Sequence, residues 1–173
     1  MQSFYFYCLF FYSLISGSVL GQSLEYPSFR NISLGTNANT VHSFAQDSLG
    51  MLWLGSNNGL FNYDSYSLQA LTGSQSPFQT FVYCITLIDK KHFALGTGQG
   101  VLLYNYQADR FEPFPTGGPS DVRALLLVGD KLWIGAIAGL YCFDLKTREL
   151  IDYGSLFPKN KEKPAVYALD KVA

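Results

Sequence analysis

The chain has 173 residues, 48% of them apolar and 16% aromatic, which is room for one domain or for part of a larger one. A net charge of -1 without a basic cluster excludes a broad nucleic-acid-binding face, and no acidic block marks a solvating tail. Twelve Tyr and fourteen Phe favour strands over helices, and sixteen Gly and seven Pro spread along the chain supply many turns.

The first charged residue is Glu25, and residues 4–20 before it are mostly apolar. Residues 1–21 read as a signal peptide with cleavage near Gly21-Gln22, because Val19-Leu20-Gly21 ends in small residues. The start carries no Lys or Arg, which departs from the usual signal pattern. An uncleaved span is the rival reading, but the run is short for about 20 apolar residues and holds Ser13, Ser16, Gly17 and Ser18. Residues 22–38 form a lead-in with a strand expected around 29–34. Asn31-Ile32-Ser33 is a glycosylation sequon that matters only in a eukaryotic secretory route.

From residue 39 the sequence repeats. Gly55, Gly96 and Gly135 correspond, 41 and then 39 residues apart, and so do Gly59, Gly100 and Gly139. Val41, Val82 and Val122 open three units, and Val166 opens a fourth. Trp53 and Trp133 match, with Ala94 between them. The units span 39–78, 79–117 and 118–158, followed by a loop and the start of a truncated fourth over 159–173. Each unit predicts four short strands, at 41–46, 51–55, 60–63 and 67–71, at 82–87, 92–96, 101–104 and 110–114, and at 122–128, 131–135, 140–143 and 149–153.

Turn chemistry fits this division. Asn58-Gly59 predicts a type I′ hairpin with positive φ at both residues. Gly55, Gly96 and Gly135 at strand ends predict close approach of a neighbouring backbone. A period near 40 with four strands is the pattern of a β-propeller blade. The expected fold is therefore all-β: about three four-stranded blades and the start of a fourth, an incomplete arc of a larger, seven-bladed propeller.

The stretch 41–66 resembles the two-component regulator propeller repeat, through Val41, Gln46, Asp47, Gly50, Trp53, Gly55, Ser56, Gly59, Leu60, Tyr63 and Asp64. The third unit matches well through Trp133, Gly135, Gly139 and Asp144, and the second less well, with Ala94 in place of Trp. The resemblance implies the N-terminal periplasmic sensor region of a Bacteroidetes-type hybrid two-component histidine kinase. In that family it implies two seven-bladed propellers, a β-sandwich, a membrane span, a kinase, a receiver and a DNA-binding domain. The implied job is sensing oligosaccharides and regulating glycan use. The implied partners are an oligosaccharide ligand, the remaining blades, and a second copy in the full-length sensor only. The chain itself is then no enzyme, holds no kinase or DNA-binding part, and is exported to the periplasm. A fragment of an exported propeller lyase or hydrolase, or of a structural interaction propeller, is the alternative.

Residue chemistry gives no catalytic, metal or cofactor site. His42 and His92 stand without a neighbouring Cys or paired carboxylates. Asp47, Asp64, Asp89, Asp130 and Asp144 fall at turns, where Asp caps its own backbone. Gly96-Thr97-Gly98-Gln99-Gly100 has no helix after it to form a phosphate site. Trp53 and Trp133 read as packing between blades rather than sugar platforms. Cys84 and Cys142 sit on different strands of different units, which argues against a disulfide and favours two buried thiols. Loops leading into first strands and loops joining second to third strands share one rim. Ligand-binding candidates are therefore Asn57, Asn58, Gln99, Tyr83 and Arg123.

Overall fold

The computed structural model describes residues 40–71, 81–115, 117–156 and 164–171. The expected signal, the lead-in strand and the loop before residue 164 lie outside these residues. The described chain forms three antiparallel sheets of four strands, each in simple meander order. The first holds β1 (Val41–Gln46), β2 (Leu52–Ser56), β3 (Gly59–Tyr63) and β4 (Leu68–Ala70). The second holds β5 (Val82–Leu87), β6 (His92–Thr97), β7 (Gly100–Asn105) and β8 (Arg110–Pro113). The third holds β9 (Val122–Val128), β10 (Lys131–Ala136), β11 (Gly139–Asp144) and β12 (Leu150–Asp152), and a 3-10 turn follows at Tyr153–Leu156. The first strand of each sheet falls where the opening Val predicts it, and the others shift by one or two residues.

Neighbouring sheets stack face to face. The reason is the period of two in each strand, which gives every sheet two apolar faces to cover. Trp53 and Leu60 of the first sheet pack with Val82, Ile85, Phe93, Leu95 and Tyr104 of the second. Ala94 and Val101 of the second pack with Val122, Leu125, Leu132, Ile134 and Phe143 of the third. The first strands lie side by side, β1 with β5 and β5 with β9. Thr86 Oγ1 on β5 donates to the Leu125 carbonyl on β9 at 3.0 Å.

One joint recurs at every interface. A Cβ on Gly55 would lie 2.8 Å from Val82 Cγ1 and 3.0 Å from the Val82 carbonyl oxygen. On Gly96 it would lie 2.8 Å and 3.1 Å from the same atoms of Val122, and on Gly135 2.7 Å and 2.9 Å from those of Val166. Val82, Val122 and Val166, which open the second, third and fourth units, thus each plug a socket that only Gly leaves open on the sheet before it. Val166 completes the third joint, and its amide donates to the Ala136 carbonyl at 2.9 Å. Residues 164–171 dock in this register without forming a strand. The first sheet has no described sheet before it. Its Phe44 is 73% exposed, whereas Ile85 and Leu125 at the matching position are each 9% exposed.

The hairpin between second and third strands differs from the type I′ expectation. Ser56 pairs with Gly59, so Asn57-Asn58 is the two-residue tip and Gly59 already belongs to β3. Gly59, Gly100 and Gly139 have φ of 101°, 129° and 124°, while neither Asn57 nor Asn58 has positive φ. One left-handed glycine after the tip, in the manner of a G1 bulge, therefore closes the turn. A buried hydroxyl then braces it. Ser56 Oγ donates to the Gly59 carbonyl and accepts from the Asn58 amide, both at 3.0 Å. Thr97 does the same with Gly100 and Gln99 at 2.9 Å and 3.1 Å.

Candidate functional site

Strand direction puts the starts of β1, β5 and β9 at the same end as the turns β2–β3, β6–β7 and β10–β11. Backbone bonds knit this rim together. The Asn57 amide donates to Thr40 at 3.3 Å, Asp121 to Gly98 at 3.0 Å, and Ile137 to Asp121 at 3.2 Å. The two loop sets expected to share a rim do so.

Each first strand carries a bulge at its second residue. Val41 pairs with Ser56 and Ser43 with Gly55, leaving His42 outside the ladder. Val82 and Cys84 flank Tyr83 in the same way, and Val122 and Ala124 flank Arg123. A bulge bends its strand and re-aims the extra side chain. Here it brings the three bulged residues to one place. The Arg123 guanidinium carbon lies 3.7 Å from the Tyr83 ring centroid. The Tyr83 ring stands 5.6 Å from His42, and 5.8 Å from Phe81 at only 7° between planes. Arg123 Nη2 donates to Asp121 Oδ1 at 3.3 Å, and its Nε is buried without a hydrogen-bond partner among the described residues.

The structure thus brings together Tyr83 and Arg123 of the five sequence candidates. Asn58 and Gln99 are exposed turn residues whose amides are held by Ser56 and Thr97, and Asn57 keeps a buried, unpartnered Oδ1. Sequence reasoning missed His42, Phe81 and Asp121. The signal for His42 was available: the residue after the opening Val is His42, Tyr83, Arg123 and then Tyr167, three residue types beside an invariant Val.

The opposite rim is structural. Asp47, Asp64, Asp89 and Asp144 each accept backbone amides two to four residues on, through one carboxylate oxygen. Asp130 departs from this and pairs with Lys146 at 2.5 Å. Asp47 does more than cap, since its Oδ2 accepts the Trp53 indole N–H at 2.9 Å. Trp53 is buried, edge-on to Tyr104 at 5.3 Å, so it packs between sheets. Trp133 is only half-buried and meets Tyr153 of its own unit at 5.1 Å. The second unit replaces both members of the Asp–Trp pair, with Ile88 and Ala94, so no carboxylate is left stranded there.

His92 joins this rim through Asp89 at 2.9 Å from Nδ1, with Asn105 Nδ2 3.1 Å from Nε2. Burial pushes the Asp89 carboxyl up, but hydrogen bonds from His92 and from the Lys91 and His92 amides outweigh it and hold it below the usual range. A depressed carboxylate contributes stability above its unfolded value, about 3.9, and that contribution is lost as pH falls through the lower folded value. Melting followed from pH 6 to pH 2 is therefore expected to steepen below about pH 4, and Asp89→Asn to flatten that acid limb. Superimposable profiles would contradict the assignment.

Both described cysteines are free. Burial pushes the Cys84 thiol up to about 12, so it is not a poised nucleophile. Among the described residues no group of three His, Cys, Asp or Glu side chains could hold a metal ion.

Three meander sheets joined through their first strands by a repeated Gly–Val socket are blades of a β-propeller. Residues 35–58 match the two component regulator propeller family, and the chain carries that repeat. It is similar to the extracellular domain of the hybrid two component system protein BT4673 from B. thetaiotaomicron, with 41% identity over 83% of this chain and a TM-score of 0.74. A second structure of the BT4673 extracellular domain gives 45% identity over 76% of this chain and a TM-score of 0.71. The chain spans only 19% and 18% of those two structures. The computationally designed Ika4 protein shares the fold alone, at 18% identity and a TM-score of 0.58, over 85% of this chain and 89% of its own. No curated protein matches the sequence. No helix among the described residues is long and apolar enough to cross a membrane.

Proposed function

We propose that the chain is part of the ligand-sensing extracellular domain of a hybrid two-component system, working in the periplasm. Its ligand is an oligosaccharide, and binding switches on genes for glycan use through kinase and DNA-binding parts supplied elsewhere. The observation that carries this reading is the 41% identity to a hybrid-system extracellular domain across 83% of the chain. The two rims support it. The rim formed by the first-strand starts presents aromatic and amide side chains, His42, Phe81, Tyr83, Asn58 and Gln99, and the far rim spends its carboxylates on turns. The chain acts as a binding element and not as a catalyst, a reading supported by its 41% and 45% identity to the BT4673 extracellular domain and by titratable groups that serve turns and ion pairs. The test is a glycan panel against the purified chain, read by calorimetry and by change in melting temperature. Saturable binding of one oligosaccharide class is expected. A folded chain that binds no glycan would overturn the reading.

A further inference from the structure

We propose that the three bulged residues form the ligand-reading row and that the saccharide they select carries an anionic group, a carboxylate or a sulfate, held by Arg123. This rests on the sensing function proposed above and narrows its ligand. Three independent observations converge on it.

The first is backbone geometry. The same bulge occurs in all three blades at the same residue, between the opening Val, which the interblade joint fixes in the second and third blades, and a small residue, Ser43, Cys84 or Ala124. The flanking positions are framework. The bulged position donates nothing to the ladder register, yet it holds His, Tyr and Arg in turn, with Tyr167 at the corresponding place after Val166. A device that re-aims a side chain, repeated in three blades and filled with different chemistry each time, is suited to recognition.

The second is charge. Among the described residues Lys90, Lys91, Arg110, Lys131, Lys146 and Arg148 all lie in turns or strand starts of the far rim. Arg123 is the basic side chain at the near one, where Asp121 and Asp152 are the described acids. Among the described residues, one cation at a rim of aromatic, amide and two acidic side chains suits a single anionic group.

The third is the state of that cation. Its contact to Asp121 is long, 3.3 Å, and its Nε has no partner among the described residues. Stacking on Tyr83 fixes the guanidinium plane and, with Nε buried, leaves the Nη groups as the donors pre-oriented for a planar or tetrahedral oxyanion. Phe81, 47% exposed and parallel to Tyr83, offers the apolar surface on which the C–H face of a sugar ring would rest.

The experiment titrates the chain with uronic-acid and O-sulfated mono- and disaccharides and with their neutral counterparts, by calorimetry at low and at physiological salt. The expected result is binding of acidic over neutral sugars, weakened by salt. Arg123→Gln should weaken acidic-sugar binding by at least about tenfold and leave neutral-sugar binding unchanged, with Arg123→Lys in between. Melting curves of both variants show whether they fold. Phe81→Ala should weaken acidic and neutral sugars alike. Preference of the wild-type chain for neutral sugars, or an Arg123→Gln chain that binds acidic sugars as before, would overturn this inference and leave the sensing function standing. Failure of every sugar to bind the folded chain overturns both.

Discussion

Gly96→Ala will destabilise the chain by about 1–3 kcal/mol or more, because its Cβ enters a space already filled. That Cβ would sit 2.3 Å from Cys84 Sγ, 2.8 Å from Val122 Cγ1 and 3.1 Å from the Val122 carbonyl oxygen. The side chain of Cys84 can turn or be trimmed, but the Val122 backbone belongs to the next blade and cannot move alone. Cys84→Ala/Gly96→Ala should therefore recover only part of the loss. Gly117→Ala is the control, since nothing lies within 4 Å of a Cβ there. Thermal or urea melts of the three variants decide the matter. A Gly96→Ala chain as stable as wild type would mean that the blades are not held at this joint.

Trp53→Ala is the second large effect, about 3–5 kcal/mol for a buried indole. Trp133→Ala, at the matching repeat position, should cost clearly less, because Trp133 is only half-buried. Trp53→Phe isolates a different quantity. The ring packing against Phe93 and Tyr104 survives, while Asp47 Oδ2 loses its donor. Asp47 is 8% exposed, so leaving its Oδ2 without a donor, while Oδ1 keeps the Leu49 and Met51 amides, costs about 1–3 kcal/mol. Asp47→Ala/Trp53→Phe should cost less than the two single changes added, since each alone leaves the other's polar group unsatisfied. Strict additivity of the two in denaturant melts would show that the hydrogen bond contributes nothing.

The blades were legible in the sequence because their determinants are local or periodic. The opening Val, the strand-end Gly and the post-turn Gly recur at fixed spacing, and each names a backbone requirement. The turn type was misread for a physical reason. Asn-Gly at 58–59 suggests two positive φ values, but Ser56 pairs with Gly59, so Asn57-Asn58 is the tip and only Gly59 is left-handed, a register the third hairpin repeats with Ala136 and Gly139. The candidate rim was half legible. Rim topology followed from strand count, and it pointed to Tyr83 and Arg123 as well as to the turn-tip amides. That Tyr83, Arg123, His42 and Phe81 meet depends on how three blades turn about one another. That angle is set by packing between units 40 residues apart, which no local pattern encodes. The Asp47–Trp53 bond was hidden likewise: a turn Asp is enough to explain its two amide contacts, and the third contact appears only when the indole folds over it.

The bulge has a consequence for how such proteins change over generations. His42, Tyr83 and Arg123 stand outside the hydrogen-bond ladder, each next to the opening Val of its unit, which carries the blade joint at Val82 and Val122. Exchanging one of them costs no backbone pairing and disturbs no socket. If these residues read the ligand as proposed, selection can rewrite what a blade recognises without renegotiating whether it folds. Duplicating a blade likewise adds a fresh recognition letter on a frame already proven. Diversity of ligands across related chains would then be concentrated at one position per repeat, with the surrounding Val and Gly held constant.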